Sequence, residues 1–137
     1  MTQRLITADT SLVVPSLVSW HECHADARRA ISDVSRLPGH VMCETISVLT
    51  RLPHGLAVQP SLTVKLLAEA FPDDPLVLDA PGHTRLFETL ATYQIHGKTV
   101  FDALVGATAA AAGAVLRTRD QRARRVYEAV GARAEYI

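Results

Sequence analysis

Short apolar runs alternate with longer amphipathic stretches along this chain, and that alternation sets its class. Residues 4–8 read as a short buried strand, closed by Asp9-Thr10-Ser11. From Pro15 to Ile31, apolar and small residues recur at helical spacing, with charge at Glu22, Asp26, Arg28 and Arg29. Leu37-Pro38-Gly39 interrupts the pattern, and His40-Val41-Met42 reads as a second brief strand. A helix starts near Glu44, turns Ile46, Val48, Leu49 and Leu52 inward, and stops before Pro53. Ser61 to Phe71 forms a further helix, closed by a Pro-flanked turn, and Leu76-Val77-Leu78 is a third strand. Pro81-Gly82-His83-Thr84 leads into a helix through Tyr93. Gly97 breaks that helix, and Thr99 caps the next, to about Gly113. Val115-Leu116 gives a fourth strand, Gln121 to Val130 a helix with Gly131 at its C′ position, and residues 134–137 a final edge strand. Such alternation predicts an α/β fold with a mainly parallel sheet of four to five strands, flanked by helices.

Composition narrows the class. At 137 residues, with 48% apolar and 20% charged positions, the chain is expected to fold as one globular domain over residues 1–137. Its 14 basic and 14 acidic residues cancel, so the net field favours no nucleic-acid partner. Positive charge is nonetheless concentrated late, at Arg117, Arg119, Arg122, Arg124, Arg125 and Arg133. Cys23 and Cys43 lack metal or redox spacing and read as reduced, buried small hydrophobes, which points to a cytoplasmic protein. Asp9 interrupts the only early apolar stretch, and the Val100–Leu116 segment is too short and too mild to span a membrane.

Candidate chemistry lies with four isolated acids. Asp9 ends Leu5-Ile6-Thr7-Ala8, Asp102 sits among Val100, Phe101, Leu104 and Val105, and Asp120 follows Ala114-Val115-Leu116 by a short basic stretch. Glu44 and Asp102 fall in the first turn of their expected helices, where the helix dipole mildly favours negative charge. A carboxylate in apolar surroundings is costly unless it is neutralised, and a hard divalent cation is one group that neutralises it. Asp9 and Asp120 each follow a strand, at the rim where open α/β sheets bind ligands. Acids early in helices also serve as ordinary caps, a reading that fits Glu44 and Asp120 more readily than Asp9 and Asp102.

Asp9-Thr10-Ser11 after an opening strand, the isolated Glu44, Thr99-Val100-Phe101-Asp102-Ala103-Leu104 and Leu116-Arg117-Thr118-Arg119-Asp120 together resemble a PIN domain. More closely, the chain resembles the VapC toxins of type II toxin–antitoxin modules, over essentially its whole length. The resemblance implies a three-layer PIN-like fold and an endoribonuclease that uses Mg²⁺ or Mn²⁺ to hydrolyse RNA phosphodiesters. It implies that Asp9, Glu44, Asp102 and Asp120 form the acidic cluster, with Asp9 and Asp102 as the direct metal ligands. Ser11 and Thr118 match the family's supporting hydroxyl positions. A VapB-type antitoxin and a homodimer are the partners it implies. Arg119 and Arg122, which flank Asp120, are candidates for gripping RNA phosphates. The same stretch also reads as a solvated helix face, with Arg124 or Arg125 paired to Glu128.

Other patterns compete. His21-Glu22-Cys23-His24 invites a zinc reading, but its histidines are three apart where the protease motif needs four. Gly97-Lys98-Thr99 ends like a phosphate-binding loop, yet the required first glycine is Thr92. A phosphoacceptor signalling domain of similar size would use Asp79 but wants adjacent acids after its first strand, where Asp9 has only Ala8 and Thr10. A PIN-like module that binds without turnover is the remaining rival.

Overall fold

The computed structural model describes residues 4–137. Its sheet has three parallel strands in the order β1 (Ile6–Ala8), β2 (Val115–Thr118), β3 (Arg133–Tyr136). Ala8 pairs with Arg117, and Thr118 with Tyr136. The strand that opens the described chain therefore lies beside strands formed more than a hundred residues later. Between β1 and β2 run α1 (Thr10–Leu17), α2 (His24–Ala30), α3 (Gly39–Thr50), α4 (Pro60–Ala70), α5 (Ala80–Thr92) and α6 (Thr99–Ala111). A 3₁₀ turn (Gln121–Ala123) and α7 (Arg124–Ala129) separate β2 from β3, and Gly131 takes a left-handed φ of 76° at the end of α7. Among the described residues no helix is long and apolar enough to cross a membrane.

Three of the expected elements differ. His40-Val41-Met42 belongs to the first turns of α3. That helix buries Val41, Thr45 and Leu49, so the short apolar run was one phase of a helical period. Because α3 starts at Gly39, Glu44 sits in its second turn, beyond the reach of the N-terminal dipole. Leu76-Val77-Leu78 supplies only one parallel bridge, Leu76 to Pro38. Leu76 N–H donates to Leu37 O and Gly39 N–H to Leu76 O, both at 2.9 Å, but Pro38 and Pro75 have no N–H with which to extend a ladder. The sheet thus has three strands rather than four to five.

The helix expected from Pro15 to Ile31 is two helices, α1 and α2. Pro15 lies inside α1, where the ring removes one intrahelical bond, and α1 ends soon after at Leu17. His24 Nδ1 lies 2.8 Å from Pro15 O and satisfies that carbonyl from the start of α2.

The main core gathers Leu12, Val13, Leu37, Val41, Leu67, Phe71, Val105, Leu116 and Tyr127 between the helices and the sheet. A smaller cluster of Leu86, Ala103 and Val126 joins α5, α6 and α7. Close approach of α6 to α7 depends on Gly106, where a Cβ would lie 2.7 Å from Val130 Cγ2 and 2.9 Å from Tyr127 Cδ1. Arg117, on β2, donates to Ala30 O at 2.9 Å, Asp33 Oδ1 at 2.6 Å and Glu135 Oε1 at 3.1 Å. It therefore ties the middle strand to the end of α2 and to β3. Cys23 and Cys43 are unbridged, and Cys43 is exposed rather than buried because its side of α3 faces solvent.

Candidate active site

Pairing of β1 with β2 brings Asp9 and Asp120 to the same edge of the sheet. Asp9 directly follows β1, and its N–H donates to Arg117 O at 3.2 Å. It occupies the N-cap position of α1, yet its carboxylate makes no capping bond. Instead Ser11 Oγ donates to Oδ1 at 2.5 Å, while Thr118 Oγ1 at 2.5 Å and Tyr127 OH at 2.6 Å both donate to Oδ2. Ser11 and Thr118 have spent their protons on Asp9, so their own 3.2 Å approach is a contact rather than a bond. Each hydroxyl also accepts a backbone N–H, Arg119 N to Ser11 at 2.9 Å and Asp120 N to Thr118 at 3.0 Å. The result is a nearly buried carboxylate fixed by three hydroxyls, two of which are themselves fixed by the backbone after β2.

Burial nonetheless raises the Asp9 pKa, opposed by the bonds from Ser11, Thr118 and Tyr127 and reinforced by the Asp120 charge. Tyr127 is pushed far above its ordinary range by burial and by Asp9, so it remains a donor throughout the working pH range.

Asp9, Asp102, Asp120 and Glu44 line one cavity of about 430 Å³, together with Thr10, Ser11, His21, Arg119 and Tyr127. Asp102, in the first turn of α6, has neither a hydrogen bond nor an ion pair among the described residues. Its pKa is pushed up to about 6, first by burial, then by Asp120, Glu44 and Asp9. Thr10 Oγ1 donates to Glu44 Oε2 at 3.0 Å, and His40 Nε2 lies 3.7 Å from the same oxygen. Asp120 does act as a cap, accepting Arg122 N–H at 3.0 Å, while its position also brings it into the cavity.

The donor set is entirely carboxylate oxygen, the chemistry that hard divalent cations take. Asp102 carries the electrostatic deficit that such a cation would offset. Among the described residues no three His, Cys, Asp or Glu side chains converge tightly enough to hold one ion as they stand. The residues therefore fit a divalent cation in donor chemistry and charge, without a finished coordination shell.

Not every candidate joins the cluster. Arg119 lines the cavity, with its guanidinium donating to Cys23 Sγ at 2.8 Å. Arg122 projects into solvent outside it, 3.7 Å from Asp120 Oδ1. Arg124 lies 4.0 Å above the Tyr136 ring, and neither it nor Arg125 forms the expected pair with Glu128 among the described residues. His21, Cys23 and His24 do not build a zinc site, since no three metal-ligating side chains converge there among the described residues; Cys23 N–H donates to His21 Nδ1, and His24 Nδ1 faces Pro15 O. Asp79 caps α5 by accepting Gly82 N–H at 2.8 Å, which answers for it without a signalling role. Sequence reasoning missed Tyr127, Thr10 and His40. The signal available for Tyr127 was a phenol in a buried helix turn, which requires a partner for its hydroxyl.

Comparison with known proteins is consistent along the chain. A family model described as PIN domain matches residues 6–129. The chain is 41% identical to ribonuclease VapC40 of Mycobacterium tuberculosis, covering 97% of this chain and 99% of that protein. It is also 41% identical to ribonuclease VapC27 of the same organism, over 92% of each. The solved structure of FitAB bound to an IR36 DNA fragment superposes with a TM-score of 0.69 at 17% identity. That match covers 96% of this chain and 94% of the other, a likeness of fold.

Proposed function

The chain belongs to the PIN-domain family, and from that membership we propose that it is a ribonuclease of the VapC kind. In this reading it is the toxin of a type II toxin–antitoxin module and hydrolyses RNA phosphodiester bonds with Mg²⁺ or Mn²⁺. The observation that carries it is a buried Asp9, fixed by three hydroxyls, sharing one cavity with Asp102, which has no partner among the described residues. Names of the two mycobacterial relatives support the RNA-cleaving activity.

Asp9 and Asp102 would hold the cation. Three of the four lone-pair sites on the Asp9 carboxylate are already taken, which leaves one direction free for an ion. A bound divalent ion lowers the pKa of water and offsets charge developing on phosphorus. Glu44, oriented by Thr10, or Asp120 would accept the proton of the attacking water. Arg119, on the cavity wall, would bind a phosphate oxygen beside the scissile bond, and Arg122 a phosphate farther along the strand. Ser11, Thr118 and Tyr127 are positioning residues that hold Asp9. A VapB-type antitoxin would silence the site, and the chain would act as a homodimer.

The test is incubation of a small-RNA pool with purified protein in Mg²⁺, in Mn²⁺ and in EDTA. Discrete metal-dependent products are expected. Asp9→Asn and Asp102→Asn should each reduce the rate by more than about a hundredfold, beyond the loss typical of outer-sphere partners. Folded protein that binds RNA and never cuts it, with either metal, would make this a binding module instead.

A further inference from the structure

Beside the acidic cavity, and outside any role described so far, lies a pair of stacked rings. His40 on α3 and Phe101 on α6 have centroids 5.1 Å apart and planes only 3° from parallel. Each is tied in sequence to an acid of the cavity. Phe101 immediately precedes Asp102, and His40 stands one helical turn before Glu44, 3.7 Å from its carboxylate. Phe101 is 52% exposed, although one of its faces is covered by the imidazole. A large aromatic left this open contributes little to the core.

We propose that the His40–Phe101 stack is a platform on which an unstacked base of the RNA substrate rests, setting which phosphodiester reaches the acids. This rests on the ribonuclease reading and adds to it a substrate-positioning element. Three features favour a single-stranded RNA base over another occupant. A flat aromatic face suits any nucleobase, because every base has a π surface. The imidazole behind the phenyl ring prolongs the stack. The platform also adjoins the acids, through the 3.7 Å approach of His40 to Glu44 and the place of Phe101 one residue before Asp102.

Because stacking tolerates sequence, the platform sets register and favours unpaired RNA rather than a particular base. Loops and single-stranded ends are therefore the expected substrates, and a continuous duplex is not. Asp102 and Phe101 being neighbours on one helix turn, the platform and the cluster move together.

The experiment uses a short single-stranded oligoribonucleotide carrying 2-aminopurine, whose fluorescence is quenched by stacking. Binding is measured in EDTA and cleavage in Mn²⁺, for the wild type, Phe101→Leu and Phe101→Trp. Phe101→Leu should weaken binding and raise KM by roughly ten- to a hundredfold with little change in kcat, as expected for one lost stacked base. It should also abolish the quench, and Phe101→Trp should restore both. Three results would overturn the platform: Leu and Trp variants that match the wild type, a Trp variant that fails as the Leu variant does while remaining folded, or Phe101→Leu impairing only association with a protein partner. If the wild type cleaves RNA and the variants match it, the platform falls and the ribonuclease reading stands. If the wild type neither binds nor cuts RNA, both fall.

Discussion

Burial and the nearby Asp120, Glu44 and Asp9 hold the Asp102 carboxyl at about 6, against an ordinary 3.8. Between those two values the folded protein binds more protons than the unfolded chain. Stability from this group is thus fully present below about 3.8 and is lost as pH rises through about 6. Asp9 is raised too, and acts in the same direction. Urea melts in EDTA should therefore show a less stable protein at pH 7 than at pH 5. Asp102→Asn should recover about 1 kcal/mol at pH 7, after discounting for the partial exposure of the group. Equal stability at the two pH values, or a destabilised Asn variant, would contradict this account. Asp9 and Asp102 were legible in the sequence because an acid inside an apolar run has no cheap explanation. Tyr127 was not, since Val126-Tyr127 reads as ordinary core until the strand pairing that delivers Asp9 to its hydroxyl is known.

At the scale of elements, α6 carries Asp102 on one turn and uses Gly106 on the next to meet α7. A methyl at Gly106 would push on Val130 and on the Tyr127 ring, and Tyr127 is the residue that bonds Asp9. Gly106→Ala is expected to cost about 1–3 kcal/mol by overpacking, despite the better helix propensity of alanine. It should also lower the cleavage rate well before the fold is lost. Thermal melts and initial rates on the same preparation would check this, and a stabilised, fully active variant would rule out the close-packing role. The helices from α3 to α7 were readable in the sequence from their period and their Pro and Gly boundaries. The two short runs His40–Met42 and Leu76–Leu78 were not, because three apolar residues fit a strand and a helix turn equally well. Their fate was decided by neighbours: the α3 register for one, flanking prolines for the other.

Across the whole molecule the charges sum to zero, yet acids are gathered into one cavity while arginines such as Arg122 and Arg124 stay outside it. An ion bound only by the folded protein raises its stability by about 2.7 kcal/mol at a hundredfold excess over Kd. Mn²⁺ or Mg²⁺ should accordingly raise the melting temperature at pH 7, and less at pH 5, where Asp102 is largely protonated. The shift should shrink in Asp9→Asn. A wild-type protein indifferent to both metals at pH 7 would remove the cation from the proposed chemistry.

The parallel pairing of β1 with β2 also sets when in the life of the chain this pocket can exist. Asp9 leaves the ribosome more than a hundred residues ahead of Thr118, Asp120 and Tyr127. A nascent chain can form its helices one after another, but it cannot hold Asp9 in place until β2 and α7 have emerged. Contacts so distant in sequence also close late in folding. The pocket therefore stays unassembled until α7 has been made, and a product cut short before residue 115 lacks the strand on which that pocket is built.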